Sequence, residues 1–282
     1  MNRNRQCHEG RSTCATLTGC LSAAVLTLGL AWPAHADELR IGGTGTALGS
    51  MQQLGLAWSK TRPDTQVTVL RSLGSGGGIK AVLSGSVELA VSSRPLKEAE
   101  MAQGARQVEY GRTPFVFAVH SGSKVSSVST RELADIYAGR TERWPDGTRI
   151  RLVLRPAGDT DSETIKTISP EVRAAKEAAE QRKGMAFAVT DQEAADNLEK
   201  IPGAFGPSTL SLILSEKRPL KALRFNDVEP SAKNTDNGSY PLFKRLYLIT
   251  GPKSPPAAQE FVTFVQSPRG REILLRTGHS VR

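Results

Sequence analysis

LRIGGTGTALGSMQQLGLAW (residues 39–58), QVTVL (66–70), GSGGGIKAVLSG (74–85) and VELAV (87–91) decide the fold. Leu39-Arg40-Ile41 reads as a short strand that stops at the glycine turn 42–46. Leu48, Met51, Leu54 and Trp58 then recur at helical spacing, and Pro63 closes the unit. Residues 66–70 alternate and are β-branched, so they read as a second strand. After the second glycine run, Ile79, Val82 and Leu83 start a helix that ends at Gly85. Residues 87–91 form a third strand. Strand, glycine turn, helix, strand is the alternation of a mostly parallel α/β sheet.

Outward from this stretch the same alternation continues. TPFVFAVH (113–120) is an apolar strand. Ser129-Thr130-Arg131-Glu132 is a capping box, which starts a helix carrying Leu133, Ile136 and Tyr137. Residues 149–154 alternate as a strand, and 171–183 form a polar, alanine-rich helical region. Ala204-Phe205-Gly206 follows a turn at Pro202-Gly203. Residues 234–240 (NTDNGSY) are turn-rich, and LYLIT (246–250) is the last strong strand. Two helices close the chain, one with Phe261, Phe264 and Val265, the other with Ile273 and Leu274.

In the other direction the reading meets an export signal. Arg3, Arg5 and Arg11 precede the apolar run LSAAVLTLGLAW (21–32), and Ala34-His35-Ala36 supplies an A-x-A cleavage site. The run is too short to span a membrane and has the form of a secretory signal peptide cleaved after Ala36. Cys7, Cys14 and Cys20 all fall within it. LTGC (17–20) resembles a lipoprotein box, but the apolar run follows Cys20 rather than preceding it. The exported chain therefore has no disulfide, thiol nucleophile or cysteine metal site. No later stretch approaches eighteen consecutive apolar residues, and the expected location is the periplasm.

The whole chain has 282 residues and a formal charge of +9. Residues 1–36 contain three Arg and one Glu, so +7 remains after cleavage. Those basic residues are scattered, form no run of five and have few aromatics among them, which argues against nucleic acid. His120 and His279, the histidines left after cleavage, are far apart, so no metal site is expected. There is no G-x-S-x-G, no H-E-x-x-H and no recognisable triad context, so the reading is a binding protein and not an enzyme. No cofactor is called for. The 43–49 glycines miss the dinucleotide spacing by one residue. GSGGGIK lacks the hydroxyl that a P-loop places after its lysine.

Each glycine turn lies between a strand and a helix, where unpaired N–H groups and the positive end of the helix dipole favour an anion. Thr44, Thr46 and Ser75 add hydroxyl donors. The carboxyl ends of parallel strands are where such sheets bind ligands.

GTGTALGS (43–50), LGSGGGIKAVLSG (73–85), ELAVSSRPL (88–96), LADIYAGRTERW (133–144), VLRPAGDTDS (153–162), PGAFGP (202–207) and NGSYPL (237–242) occur in an order that resembles a known family. The chain is similar, over essentially all of the exported part, to the phosphate-binding subunit of the bacterial phosphate ABC transporter and its relatives, the type II periplasmic binding proteins. The resemblance implies an α/β fold of two lobes, each a mostly parallel sheet flanked by helices. Two crossover strands act as the hinge. Lobe one would be 37–118 plus 244–282, and lobe two 119–243. It further implies that Thr44, Thr46, Ser75, Ser92 and Ser93, with the backbone of Gly76 and Gly77, meet an oxyanion from lobe one. Arg155, with Asp159, Thr160 and Asp161, would meet it from lobe two. The planar fork of Arg155 suits a tetrahedral oxyanion.

Two departures from the family pattern stand out. Phosphate binders usually carry a carboxylate where Ser93 stands, and serine, glycine and threonine where Asp159-Thr160-Asp161 stand. Carboxylates accept hydrogen bonds but do not donate them, and they repel anions. The aspartates either cap the following helix or face the pocket. If they face it, phosphate binds weakly, or a ligand with donors of its own is preferred. The expected function is an exported, monomeric solute-binding protein that delivers a small oxyanion to an ABC transporter. The alternative is a ligand-binding module with the same fold that reports to a membrane sensor.

Overall fold

The computed structural model describes residues 37–185 and 187–281. The signal peptide and cleavage site expected in 1–36 lie outside the described residues.

Among the described residues there are ten strands: β1 (Asp37–Gly43), β2 (Thr65–Val69), β3 (Leu89–Ser92), β4 (Arg106–His120), β5 (Ser127–Val128), β6 (Arg151–Leu152), β7 (Ala204–Thr209), β8 (Leu220–Ala222), β9 (Arg224–Phe225) and β10 (Phe243–Thr250). The main sheet runs β2-β1-β3-β10-β4-β7-β6, with β8 also on β4, while β5 and β9 pair separately. β2, β1 and β3 are parallel, and β10 runs against β3 and β4. Beyond β4, β6 and β7 are parallel to each other, and both β7 and β8 run against β4. Each half of the sheet thus has one reversed strand among otherwise parallel ones.

β4 joins the halves. Its first part, to Pro114, pairs with β10, and its last part, from Phe115, pairs with β7 and β8. The apolar packing changes at the same place. Leu39, Ile41, Met51, Trp58, Leu246 and Phe261 belong to one core, with Ile79, Val82 and Ile249 in a smaller cluster. Phe115, Phe117, Tyr137, Leu154, Phe205 and Tyr240 belong to another. The chain returns to the first core through 240–246. There the Tyr240 hydroxyl donates to the Phe115 carbonyl at 2.9 Å, and the Phe115 N–H donates to Leu242 O at 2.9 Å. The two crossings are thereby bonded side by side.

The βαβ unit at 39–91 is present, with helix Gly45–Ser59 after the first glycine turn, but the second glycine run does not break the chain: residues 74–78 are the first turns of helix Gly74–Ser84, whose glycines let it pack closely on Gly43. The capping box is present: Ser129 Oγ accepts from Glu132 N at 3.2 Å, and Glu132 Oε2 accepts from Ser129 N at 2.8 Å. The polar helix is Pro170–Gln181. Three further readings are corrected. The strand expected at 113–120 is the second half of a fifteen-residue strand. The strand expected at 149–154 shrinks to Arg151–Leu152, because only those residues face β7 in register. The turn-rich 234–240 begins inside the short helix Ala232–Asp236, which Ser231 caps by accepting from Asn234 N.

His279 is fully buried near the end of the chain. Its Nδ1 lies 3.1 Å from Leu274 O and 3.2 Å from Thr277 Oγ1, and its Nε2 has no partner among the described residues. Burial pushes the imidazole down to about 4. Between that value and the ordinary 6.5, the unfolded chain binds a proton that the folded one does not. Stability is therefore lost as pH falls through this window, by up to about 3 kcal/mol near its acid end. Urea midpoints for wild type and His279→Asn, which keeps a donor near Nδ1, should converge as pH is lowered from neutral. Parallel curves would contradict this.

Candidate functional site

The site begins at the carboxyl end of β1. Gly43 has φ 143°, and a Cβ there would stand 2.0 Å from the Val91 carbonyl oxygen, so the turn needs glycine. The start of helix Gly74–Ser84 is drawn against it, because a Cβ at Gly78 would stand 2.6 Å from Gly43 Cα. Two helix starts therefore converge. Neither N-cap, Thr44 or Leu73, bonds its side chain to its own helix.

Hydroxyls line the convergence. Ser75 Oγ accepts from Ser93 N at 3.0 Å and lies 3.1 Å from Ser93 Oγ. Thr44 Oγ1 donates to Ser93 Oγ at 3.4 Å. Thr160 Oγ1, from the other half of the molecule, is 3.3 Å from the same Ser93 oxygen. Thr46 Oγ1 is fully buried and has no partner among the described residues.

The opposite wall is ionic. Arg155 is 3% exposed, yet four groups of the protein surround its guanidinium. It donates to Ala188 O at 2.8 Å and to the two Asp159 oxygens at 3.3 and 3.0 Å. Asp161 lies 3.5 Å from it and Asp191 lies 4.0 Å away. Lys244, buried at the start of β10, donates to Asp161. Beneath this loop the buried Lys176 bonds Ser162 Oγ at 3.0 Å and Glu180 at 2.6 Å, while Ser162 Oγ donates to Arg155 O at 2.8 Å. The loop carrying Arg155 is thus held on both sides.

The charges do not balance. Two cations, Arg155 and Lys244, meet three carboxylates, Asp159, Asp161 and Asp191. Burial works against both cations, but Asp161 and Asp191 outweigh it and hold each above its ordinary value. Burial and the facing Asp161 push the Asp191 carboxyl up. Asp191 closes the ring between the two halves: its Oδ2 accepts from the Thr46 backbone N–H at 3.2 Å. Gln192 beside it donates to Gly45 O at 3.0 Å and to Glu216 at 2.8 Å.

The structure brings the expected residues together in two groups: Thr44, Ser75, Ser93 and Thr160 share hydroxyl contacts, while Arg155, Asp159 and Asp161 form an ionic group that reaches the Thr46 N–H through Asp191. Gly76 and Gly77 lie on the same turn as Ser75, and a Cβ at Gly76 would meet nothing within 4 Å. Ser92 stands apart, since its hydroxyl donates to Arg94 O at 2.7 Å and accepts from Arg94 N at 3.2 Å. Asp159 caps helix Thr160–Lys166, with Oδ1 accepting from Asp161 N at 2.9 Å, and also pairs with Arg155. Asp161 is buried against Lys244 and Arg155.

Asp191, Gln192 and Lys244 were not found from the sequence. Helix Asp191–Lys200 carries its own signal, Thr190-Asp191-Gln192-Glu193, in which Thr190 Oγ1 accepts from Glu193 N at 3.1 Å. That capping pattern locates the helix start, but nothing in it shows that the start faces Thr46. Lys244 has no local signal at all, because its partner is 83 residues away.

A family model described as a PBP superfamily domain matches residues 30–269. The phosphate-binding protein PstS of Bacillus subtilis is 27% identical over 246 residues, covering 82% of this chain and 77% of that protein. The phosphate-binding protein PstS of Borreliella burgdorferi is 23% identical over 246 residues, covering 84% and 88%. A crystal structure of a phosphate ABC transporter substrate-binding protein with bound phosphate, from Clostridium perfringens, superposes with a TM-score of 0.74 at 20% identity, covering 87% of this chain and all of that one.

Proposed function

The chain belongs to the PBP superfamily, and from that premise we propose that it is a solute-binding protein. It takes phosphate or a related small oxyanion between two lobes and delivers it to an ABC transporter. The relatives named as phosphate-binding proteins align over most of their length and support this reading. One observation in the chain itself carries it. A carboxylate is already seated on the Thr46 N–H beside the buried Arg155, so the cleft has the donors and the field to hold an oxyanion. Thr46, Ser75, Ser93 and Thr160 supply hydroxyls, and Arg155 supplies the fork.

Lobe one is taken as 37–118 with 244–282 and lobe two as 119–243, with β4 and the 240–246 segment as the hinge. Closure brings the Thr46 side against the Asp191 side. The protein acts as an exported monomer in the periplasm and catalyses nothing. Among the described residues no helix is long and apolar enough to cross a membrane.

A thermal-shift series with phosphate, sulfate, molybdate and simple phosphonates tests this. A binding oxyanion at about 100 times its Kd should add about 2.7 kcal/mol, which for a chain of this size raises Tm by about 5–10 °C. No shift with any oxyanion would contradict the proposal.

A further inference from the structure

Resting on that reading, we propose that Asp191 is a built-in occupant of the anion seat, an internal carboxylate that an incoming oxyanion must displace. Its place is the one a bound oxyanion needs. Oδ2 accepts from the Thr46 N–H at 3.2 Å, and Oδ1 lies 4.0 Å from the Arg155 guanidinium. The contact is close on all sides: a Cβ on Gly45 would stand 2.6 Å from Asp191 Oδ2 and 2.4 Å from Gln192 Oε1.

Two further observations show that the occupant fits the seat poorly. Thr46 Oγ1, fully buried in the same turn, gains no partner from it. A carboxylate has two oxygens, whereas a tetrahedral oxyanion has more and can reach the N–H, the hydroxyl and the guanidinium together. Asp191 is also the excess charge, since Asp159 and Asp161 already face Arg155 and Lys244 in equal number. Removing it leaves the wall neutral.

The chain on either side of Asp191 borders open space. Asp191 sits in the first turn of its helix, and the neighbouring Thr190 and Gln192 line a cavity of about 920 Å³ that Arg71 and Lys217 also line. The two sides of the cleft are thus tied by the protein's own carboxylate, through a contact between positions 145 apart. A ligand binds only the fraction of molecules from which that carboxylate has left, so its apparent affinity is reduced by that fraction.

The test is calorimetry of inorganic phosphate with wild type, Asp191→Ala and Asp191→Asn, paired with small-angle scattering of each protein without ligand. Asp191→Ala should bind phosphate about tenfold or more tightly than wild type, with Asp191→Asn between them. Without ligand, Asp191→Ala should be more open than wild type. Equal or weaker phosphate binding by Asp191→Ala, with no opening, overturns the proposal while leaving the anion-site reading intact. If no variant takes up phosphate, the titration is repeated with whichever oxyanion shifts the melting temperature, and scattering decides on the tie: opening of Asp191→Ala supports it, and an unchanged profile overturns it. Should Asp191→Ala fail to fold, Asp191→Asn decides by the same two readings.

Discussion

Arg155→Ala should destabilise the protein by about 3–5 kcal/mol and abolish anion binding in the same step. The guanidinium is almost fully buried and is the shared partner of Asp159, Asp161 and Asp191. Removing it leaves three carboxylates facing Lys244 alone, and an uncompensated buried charge is among the most destabilising changes a single substitution makes. For a chain of this size the loss corresponds to a fall in Tm on the order of 10 °C. Arg155→Lys separates the two consequences. It restores a positive charge to the carboxylates, so most of the stability should return. It lacks the planar fork, so phosphate binding should stay at least tenfold weaker than wild type. Differential scanning calorimetry and phosphate titration of both variants check this. A Tm for Arg155→Ala within 2 °C of wild type would contradict the account.

The second large effect belongs to a pair that the cleft hides. Lys244 begins the strand returning to the first core, Asp161 lies at the start of helix Thr160–Lys166, and both are buried. Lys244→Met should cost about 3–5 kcal/mol, because Asp161 then keeps only a share of Arg155. Adding Asp161→Asn removes the stranded charge, so the double variant should regain most of the loss. Urea denaturation of both single variants and the double variant gives the coupling directly. A double variant as unstable as the sum of the singles would show that the two side chains do not act as a pair.

What the sequence could reveal about this site follows from how far apart its parts lie. The glycine turns, the helix starts behind them and the hydroxyls of Thr44, Thr46 and Ser75 sit within two short local patterns, and local patterns are readable. The same holds for the capping box at Ser129 and for Arg155, whose surroundings at 153–162 match a family motif. The long β4 was half missed, because RQVEYGR before its apolar half is charged and its pairing with β10 supplies what its composition lacks. Asp191 and Lys244 were missed for a stronger reason. Each has a partner more than 80 residues away, Thr46 and Asp161 respectively, that no local pattern announces. The sequence showed two aspartates where the family has donors. It did not show the lysine that compensates one of them, or the third aspartate that restores the excess.

A crystal structure of the wild-type protein grown with phosphate tests the central claim most directly. The account places the anion between the lobes, on the Thr46 N–H and hydroxyl, on Ser75 and on the Arg155 fork, with the Asp191 carboxylate turned off the Thr46 N–H. Phosphate bound elsewhere in the cleft, touching neither Thr46 nor Arg155, would contradict it.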